Sequence, residues 1–379
     1  MNSSLASPEG MLGRSTVPRM RAIYLALGMA AVATLAYVLL RQDTTHQYDI
    51  YWMLPRLRDG LTDYPRHPFA LPFLDGMVGL LDGFGSLHER FKLANAICVG
   101  LAVGIFTHAA FLLCSSLRTA ALIGITYAAL PATVRFATIA ELHGLFLPFA
   151  AVAIWLVGRL VTTPARRRAW STITLGVTTA IAAGFHGTGH LLVGVGGVWL
   201  VIEWRHAEQG TRKTIAAMLA LVGAHLATSQ LITWAVLVNG STTPVDAQLE
   251  LFDYQPHTTD GMGTMLYREL LWPLLPVSLL WPIGLFSAYR RLAAVFALCV
   301  PAYLATCQTL LCVPELGYTF HEDGAYLMPL AFLPVVLSVR LLPGRWVLAL
   351  PVVAIAATCH AIPNANLQIA RLGRRQLRS

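Results

Sequence analysis

Long uninterrupted apolar runs dominate this chain, and polar residues are confined to short stretches between them. Positions 22–40, 93–117, 169–202, 214–245, 270–289, 292–314 and 346–370 carry no Asp, Glu, Lys or Arg. Each run approaches or exceeds the roughly 20 residues of helix that cross a bilayer. The run 169–202 is too long for one crossing and is interrupted by Gly184, Gly187 and Gly189, which predicts two spans meeting near His186. Together with the shorter apolar segments 119–134, 142–160 and 324–339, the pattern predicts an all-α polytopic membrane protein of about eleven transmembrane helices. Neither an internal repeat nor a low-complexity stretch breaks the series.

Composition agrees. Of 379 residues, 56% are hydrophobic and 12% charged, with a mean hydropathy of +0.61. A soluble domain carries roughly 25% charged residues, so a chain with half that amount is not a soluble one. Lysine and arginine total 27; Lys92 and Lys213 are the only lysines, which leaves 25 arginines. That bias, with abundant Ala, Gly and Leu, points to a GC-rich bacterial genome. The arginines sit at the ends of apolar runs and no basic stretch is interleaved with base-stacking aromatics, so a nucleic-acid partner is excluded. Cys98, Cys114, Cys299, Cys307, Cys312 and Cys359 lie in or beside apolar runs without a CxxC pair, and read as packing residues.

Arginine placement sets the topology. The segment 1–21, with Arg14, Arg19 and Arg21, precedes a first span without a small-residue cleavage site, so it reads as a cytoplasmic N-terminus before an uncleaved span. Arg118, Arg159 with Arg166, Arg167 and Arg168, then Arg205 with Arg212 and Lys213, then Arg290 and Arg291, and finally Arg340 and Arg345 mark the inner turns. Loops 41–92 and 239–269 face outward and carry most of the acids. The transmembrane domain runs over 22–362, ahead of a basic tail, 363–379. Strict alternation would put that tail outside, so either the parity breaks or one of 119–134 and 324–339 is not a full span. The Trp and Tyr residues at span ends (Trp170, Trp204, Trp272, Tyr289, Trp346) read as an interfacial belt.

An ionisable group in a bilayer costs several kcal/mol unless it is paired or faces water, so the informative residues are the few acids and histidines. They gather at the outer ends of spans. Asp49 lies within His46-Gln47-Tyr48-Asp49-Ile50-Tyr51-Trp52, followed by Leu57-Arg58-Asp59-Gly60 and Tyr64-Pro65-Arg66-His67-Pro68. Glu141 and His143 open the fourth span. His186 and His190 lie where the fifth and sixth meet, and at a spacing of four would share a helix face. His321, Glu322 and Asp323 precede the tenth.

A first span followed by an outer-loop Asp, an aromatic-rich amphipathic helix ending in Gly, and a His-Pro turn into a short apolar segment resembles the opening of GT-C superfamily glycosyltransferases. The closer resemblance is to the bacterial membrane family related to eukaryotic protein O-mannosyltransferases. It rests on Ala140-Glu141-Leu142-His143-Gly144-Leu145-Phe146 and on Ala183-Gly184-Phe185-His186-Gly187-Thr188-Gly189-His190, and covers roughly residues 20 to 205. The resemblance implies a GT-C-like fold with a helical first outer loop in a bacterial inner membrane. It implies an outward-facing site where a sugar passes from a polyprenyl-phosphate carrier to an acceptor (glycan, lipid or protein).

On that resemblance Asp49 matches the general base that takes the acceptor's proton, a role for a positioned carboxylate. Arg66, His67, Arg135, His186, His190, Arg268 and His321 are candidates to meet the charge on the leaving phosphate. Glu141 would orient a sugar hydroxyl or a donor side chain, and His143 and Glu322 complete the set. Each has a plainer reading: Asp49 as a solvated loop acid, Glu141 as a helix cap, His67-Pro68 as a turn, His186 and His190 as part of a glycine-rich crossing or a zinc pair. Where the family carries an Arg-Tyr element, this chain has His321-Glu322-Asp323-Gly324-Ala325-Tyr326, without the Arg. No cofactor motif or metal site is present in the sequence, and a divalent cation stays open. A transporter or flippase, or a non-catalytic partner in envelope-glycan assembly, are the rival classes. The former usually pairs charges near the bilayer midplane in two related halves.

Overall fold

A computed structural model describes residues 16–42, 48–61, 67–162, 168–206, 211–238, 266–309, 312–313, 318–319, 324–325 and 327–360. In chain order the helices are α1 (Thr16–Leu39), α2 (Tyr48–Arg58), α3 (Ala70–Leu80), α4 (Leu87–Cys114), α5 (Leu117–Ala129), α6 (Pro131–Thr138), α7 (Leu142–Thr162), α8 (Arg168–Phe185), α9 (Gly189–His206) and α10 (Thr211–Val238). After a π-helical turn at Leu266–Leu271 come α11 (Val277–Phe286), α12 (Arg290–Thr309), α13 (Phe332–Leu341) and α14 (Gly344–His360). One short antiparallel pair, β1 (Cys312–Val313) with β2 (Tyr318–Thr319), stands outside the helical pattern.

Spans read from hydropathy have helical counterparts, with four corrections, one being that 324–339 is helical only from Phe332 onward, after turns at 327–331. The segment 119–134 is not one straight crossing: α5 and α6 meet at a 62° bend. Pro131 is responsible, because its ring drives Leu130 out of the helical region (ψ 141°). The segment 270–289 is not one continuous helix either, because Pro273, Pro276 and Pro282 divide it into turns and the short α11. The run 292–314 is not helical throughout: the helix is described as far as Thr309, and Cys312–Val313 lie in β1. At the other end of the first outer loop, α4 begins at Leu87, within 41–92. Ser86 caps it by accepting the Glu89 N–H at 3.3 Å.

Helices α4 and α7 are central and α1 and α10 peripheral: 56% and 67% of the first pair's apolar windows are buried, against 28% and 11% of the second. Leu27, Val32, Leu35 and Leu39 of α1 are exposed, as a lipid-facing stripe must be. Among the belt residues, Trp170 and Trp346 are exposed as expected, but Trp204 is buried in the core. Lipid tails are as apolar as leucine, so helices associate through close packing. Gly100 and Gly104 on α4 form a G-x-x-x-G ridge against Ala26, Ala30 and Thr34 of α1. A Cβ at Gly104 would lie 2.7 Å from the Ala26 carbonyl oxygen.

Contacts sort the loops to the two ends of the bundle as the arginines imply. At one end, Arg291 approaches Glu203 at 3.9 Å and Arg340 stacks over Tyr289 at 5.4 Å, joining turns assigned to the inside. At the other, Gln42 bonds Thr138, and Phe69 bonds Gly184, joining segments assigned to the outside.

Gly104→Val is expected to destabilise the protein by roughly 1–3 kcal/mol through overpacking of the α1–α4 contact. Thermal unfolding in detergent measures this; an unchanged midpoint would mean that the two helices do not pack through this ridge.

Candidate functional site

The first outer loop is fastened down by an apolar cluster of its own. Met53 and Leu57 of α2 and Ala70, Leu71, Leu74 and Val78 of α3 pack with Phe91, Ala94 and Cys98 of α4 and with Ala140, Leu142 and Leu145 around the start of α7. Beside it, Phe149 of α7 stacks on Phe185 of α8 (ring centroids 3.9 Å), and Phe69 and Phe73 meet Phe185 edge-on at 5.8 and 5.2 Å. The Phe69 N–H donates to the Gly184 carbonyl at 3.0 Å. A Cβ on Gly184 would lie 2.5 Å from the Phe69 ring, so glycine is what lets the loop seat there.

This seating puts His67, two residues before Phe69, against His186, the residue after Phe185. Their rings stack at 4.8 Å and 13°. The His143 ring lies 4.5 Å from that of His186 on another side, and Phe146 and Phe136 close the group at 5.6 Å from His186 and 5.5 Å from His143. Glu141 Oε1 approaches His143 Nδ1 at 3.4 Å and accepts the Leu142 N–H at 2.8 Å. The helix-cap reading of Glu141 is therefore met, and the same carboxylate also faces a histidine. Glu141 and His143 are both buried. Arg135, on α6, stacks against Phe136 at 5.8 Å and so flanks the group.

Three residues that the sequence reading passed over hold this group in place. Asn95, fully buried on α4, donates from one amide nitrogen to the carbonyls of Ile139 and Glu141, both at 2.7 Å. Lys92, one turn earlier and also buried, donates to the Gln42 carbonyl at 2.8 Å and pairs with Glu89. Gln42 in turn donates to Thr138 Oγ1 at 2.7 Å. The end of α1, the start of α4 and the α6–α7 junction thus form one polar knot. Lys92, as one of only two lysines and placed at the mouth of an apolar run, was the available signal; Asn95 inside the run was another.

His67, Glu141, His143 and His186 come together, and Arg135 stands over Phe136 at the edge of the group. His190 instead meets His225 of α10, Nδ1 to Nε2 at 2.9 Å. The expectation that His186 and His190 share one helix face is corrected: α8 ends at Phe185, α9 begins at Gly189, and His186 lies in the break with its Nδ1 bonded to Thr188 Oγ1 at 2.8 Å. Asp49 falls within α2, though its side chain lies outside the described residues, as do Arg66, His321 and Glu322. Glu269 is a further buried acid; its Oε2 accepts the Gly324 N–H at 2.9 Å, tying the π-helical turn to the entrance of the late spans. Among the described residues no three His, Cys, Asp or Glu side chains are arranged to hold a metal ion.

A crystal structure of ArnT from Cupriavidus metallidurans bound to undecaprenyl phosphate matches this chain with a TM-score of 0.55 at 16% identity. The fold is GT-C-like. The match covers 84% of this chain and 59% of that one, so the chain spans little over half the length of the protein it resembles. No protein-family model and no curated protein sequence matches.

His186 lies in the turn outside the two helices. Burial, and then the neighbouring His143, push its imidazole well below the ordinary value of 6.5, so it is neutral in the fold. In the unfolded chain it takes up a proton below about pH 6.5. The unfolded state then binds the extra proton, and stability falls as pH drops through and below that value. Thermal midpoints in detergent should decline from about pH 7.5 to 5.5, and His186→Asn should flatten the decline; an identical slope in the variant would show that His186 does not carry it.

Proposed function

We propose that the protein is an integral-membrane glycosyltransferase that moves a sugar from a polyprenyl-phosphate carrier to an acceptor hydroxyl at the outer face of a bacterial inner membrane. The observation that carries this reading is the convergence of the first outer loop (His67), the α6–α7 junction (Glu141, His143) and the α8–α9 break (His186) on one buried cluster, within a GT-C-like fold. The fold likeness to a structure holding undecaprenyl phosphate supports a polyprenyl carrier.

In the reaction, Asp49 removes the proton from the acceptor hydroxyl as its oxygen attacks the anomeric carbon. The bond between that carbon and the carrier's phosphate oxygen breaks, inverting the centre, and the lipid phosphate leaves with the electron pair. Cationic donors meet the charge that develops on it. Arg66 and His67 in the first loop, Arg135 on α6, and His190, Arg268 and His321 are this chain's candidates, with His186 set aside as neutral, while Glu141 orients His143. The acceptor meets the enzyme through the loops 41–92 and 239–269. A mannosyl carrier is the first donor to try, from the resemblance of the motifs at Glu141 and His186 to the O-mannosyltransferase-related family.

Proteoliposomes supplied with polyprenyl-phosphate mannose and cell-envelope extract test the reading through transfer of labelled sugar. Asp49→Asn should lower the rate by about 10²- to 10⁴-fold, the contribution typical of a general base, while carrier binding persists. Transfer at the wild-type rate would remove Asp49 from the chemistry, and carrier uptake without transfer by the wild type would favour a flippase.

A further inference from the structure

Beside the cluster at His186 runs a second polar chain that joins α8, α9 and α10. Thr179 Oγ1 lies 2.9 Å from His225 Nδ1, and His225 Nε2 lies 2.9 Å from His190 Nδ1. Thr179 and His225 are buried and His190 is half-buried. Two glycines make these distances attainable. A Cβ on Gly176 of α8 would lie 2.5 Å from the Leu221 carbonyl oxygen and 3.0 Å from the His225 nitrogen of α10, and one on Gly189 would collide with the backbone of Ala183. The glycine-rich crossing is therefore what brings the three side chains into line.

The chain has a direction. Thr179 Oγ1 lies 2.9 Å from the Gly176 carbonyl oxygen. Two oxygens at that distance need a hydrogen between them, and a carbonyl supplies none, so the hydroxyl proton points at Gly176. Thr179 can then only accept from His225, whose Nδ1 must carry a hydrogen. A neutral His225 is then bare at Nε2 and accepts from His190 Nδ1–H. Which ring nitrogen of a histidine holds the proton is set by the partner of the other. We propose that Thr179 and His225 are positioning residues that fix His190 as the Nδ1–H tautomer and so present its bare Nε2 as a hydrogen-bond and proton acceptor at the end of the bundle where His186 lies.

The use of that nitrogen rests on the transferase reading. Neutral, it accepts a hydroxyl of the sugar or the acceptor. Protonated, it becomes a donor to a phosphate without breaking the chain, since its Nδ1–H still points at His225. Protonating His225 at Nε2 would instead set N–H against N–H. Around the chain, the titratable groups at this end are His67 of the first loop, Glu141 just before α7, His143 on α7 and His186 in the turn. Arg159 of α7, Glu203 of α9, Arg212 and Lys213 of α10 and Arg291 of α12 lie toward the opposite ends of the helices packed here.

The test is magnetic resonance of the full-length protein in nanodiscs with its histidine rings labelled in heavy nitrogen, at about pH 8, above the ordinary imidazole range. His190, assigned by difference from His190→Gln, is expected as the Nδ1–H tautomer. His225→Phe should shift it to the Nε2–H form, and His225→Gln, whose side-chain oxygen can accept from His190, should restore Nδ1–H. That rescue separates positioning from a loss of folding. His190 found as Nε2–H in the wild type, or unmoved by His225→Phe, overturns the relay. The readout needs no turnover. A wild-type protein that fails to bind undecaprenyl phosphate sinks the transferase reading, whereas an unmoved tautomer sinks the relay.

Discussion

Inside a bilayer every backbone N–H and C=O must find its partner within the protein, and this structure is organised by how it meets that demand where α5 breaks at Pro131. The last carbonyls of α5 lose their intrahelical partners there. Tyr37 of α1 donates to the Ala128 carbonyl at 2.8 Å, and Thr358 of α14 donates to that of Ala129 at 2.8 Å. On the far side of the break, the Ala132 N–H donates to the Pro273 carbonyl at 3.1 Å, and the neighbouring Tyr127 donates to Met328. One proline thus obliges the first helix, the last helix and the segment leading into α11 to meet at a single place. The break also turns α6 toward the end of α1, where Gln42 and Thr138 join.

The same demand explains why the candidate chemistry sits where it does. The stretch 139–141 between α6 and α7 is not helical, and Asn95 supplies donors to two of its carbonyls. That holds Glu141 and His143 in place, at the end where the first outer loop is seated by Phe69 on Gly184. Non-helical backbone that is buried among apolar helices must likewise find its partners within the protein. Breaks in the helices and polar side chains therefore occur together: Glu141 at one break, His186 at another, and His190 just past it.

Much of this was legible from the residues. The scarcity of charge fixed the membrane setting, the arginines sorted the turns, and Gly184, Gly187 and Gly189 marked the α8–α9 break. The aromatic segment after Asp49 marked a helical outer loop. What stayed hidden shares a physical reason. Hydropathy averaged over a span is blind to a break whose two halves are both apolar, so Pro131 passed unnoticed. A buried polar residue shows its meaning only through its partner, and the partners here are distant in sequence. His225 lies 46 residues from Thr179 and 35 from His190, and nothing around it in the sequence separates it from an ordinary core histidine. Trp204 looked like an interfacial residue because it ends a span, and only the packing around it reveals that it faces the core.

The account stands on the claim that a polyprenyl phosphate is received at the end of the bundle where His67, Glu141, His143 and His186 cluster. An experimental structure of the protein with undecaprenyl phosphate in a lipid nanodisc tests this most directly. The account predicts the phosphate beside that cluster, with the lipid chain running down the apolar flank of the bundle. A phosphate bound at the opposite end, among Arg291, Arg340 and Tyr289, would contradict it.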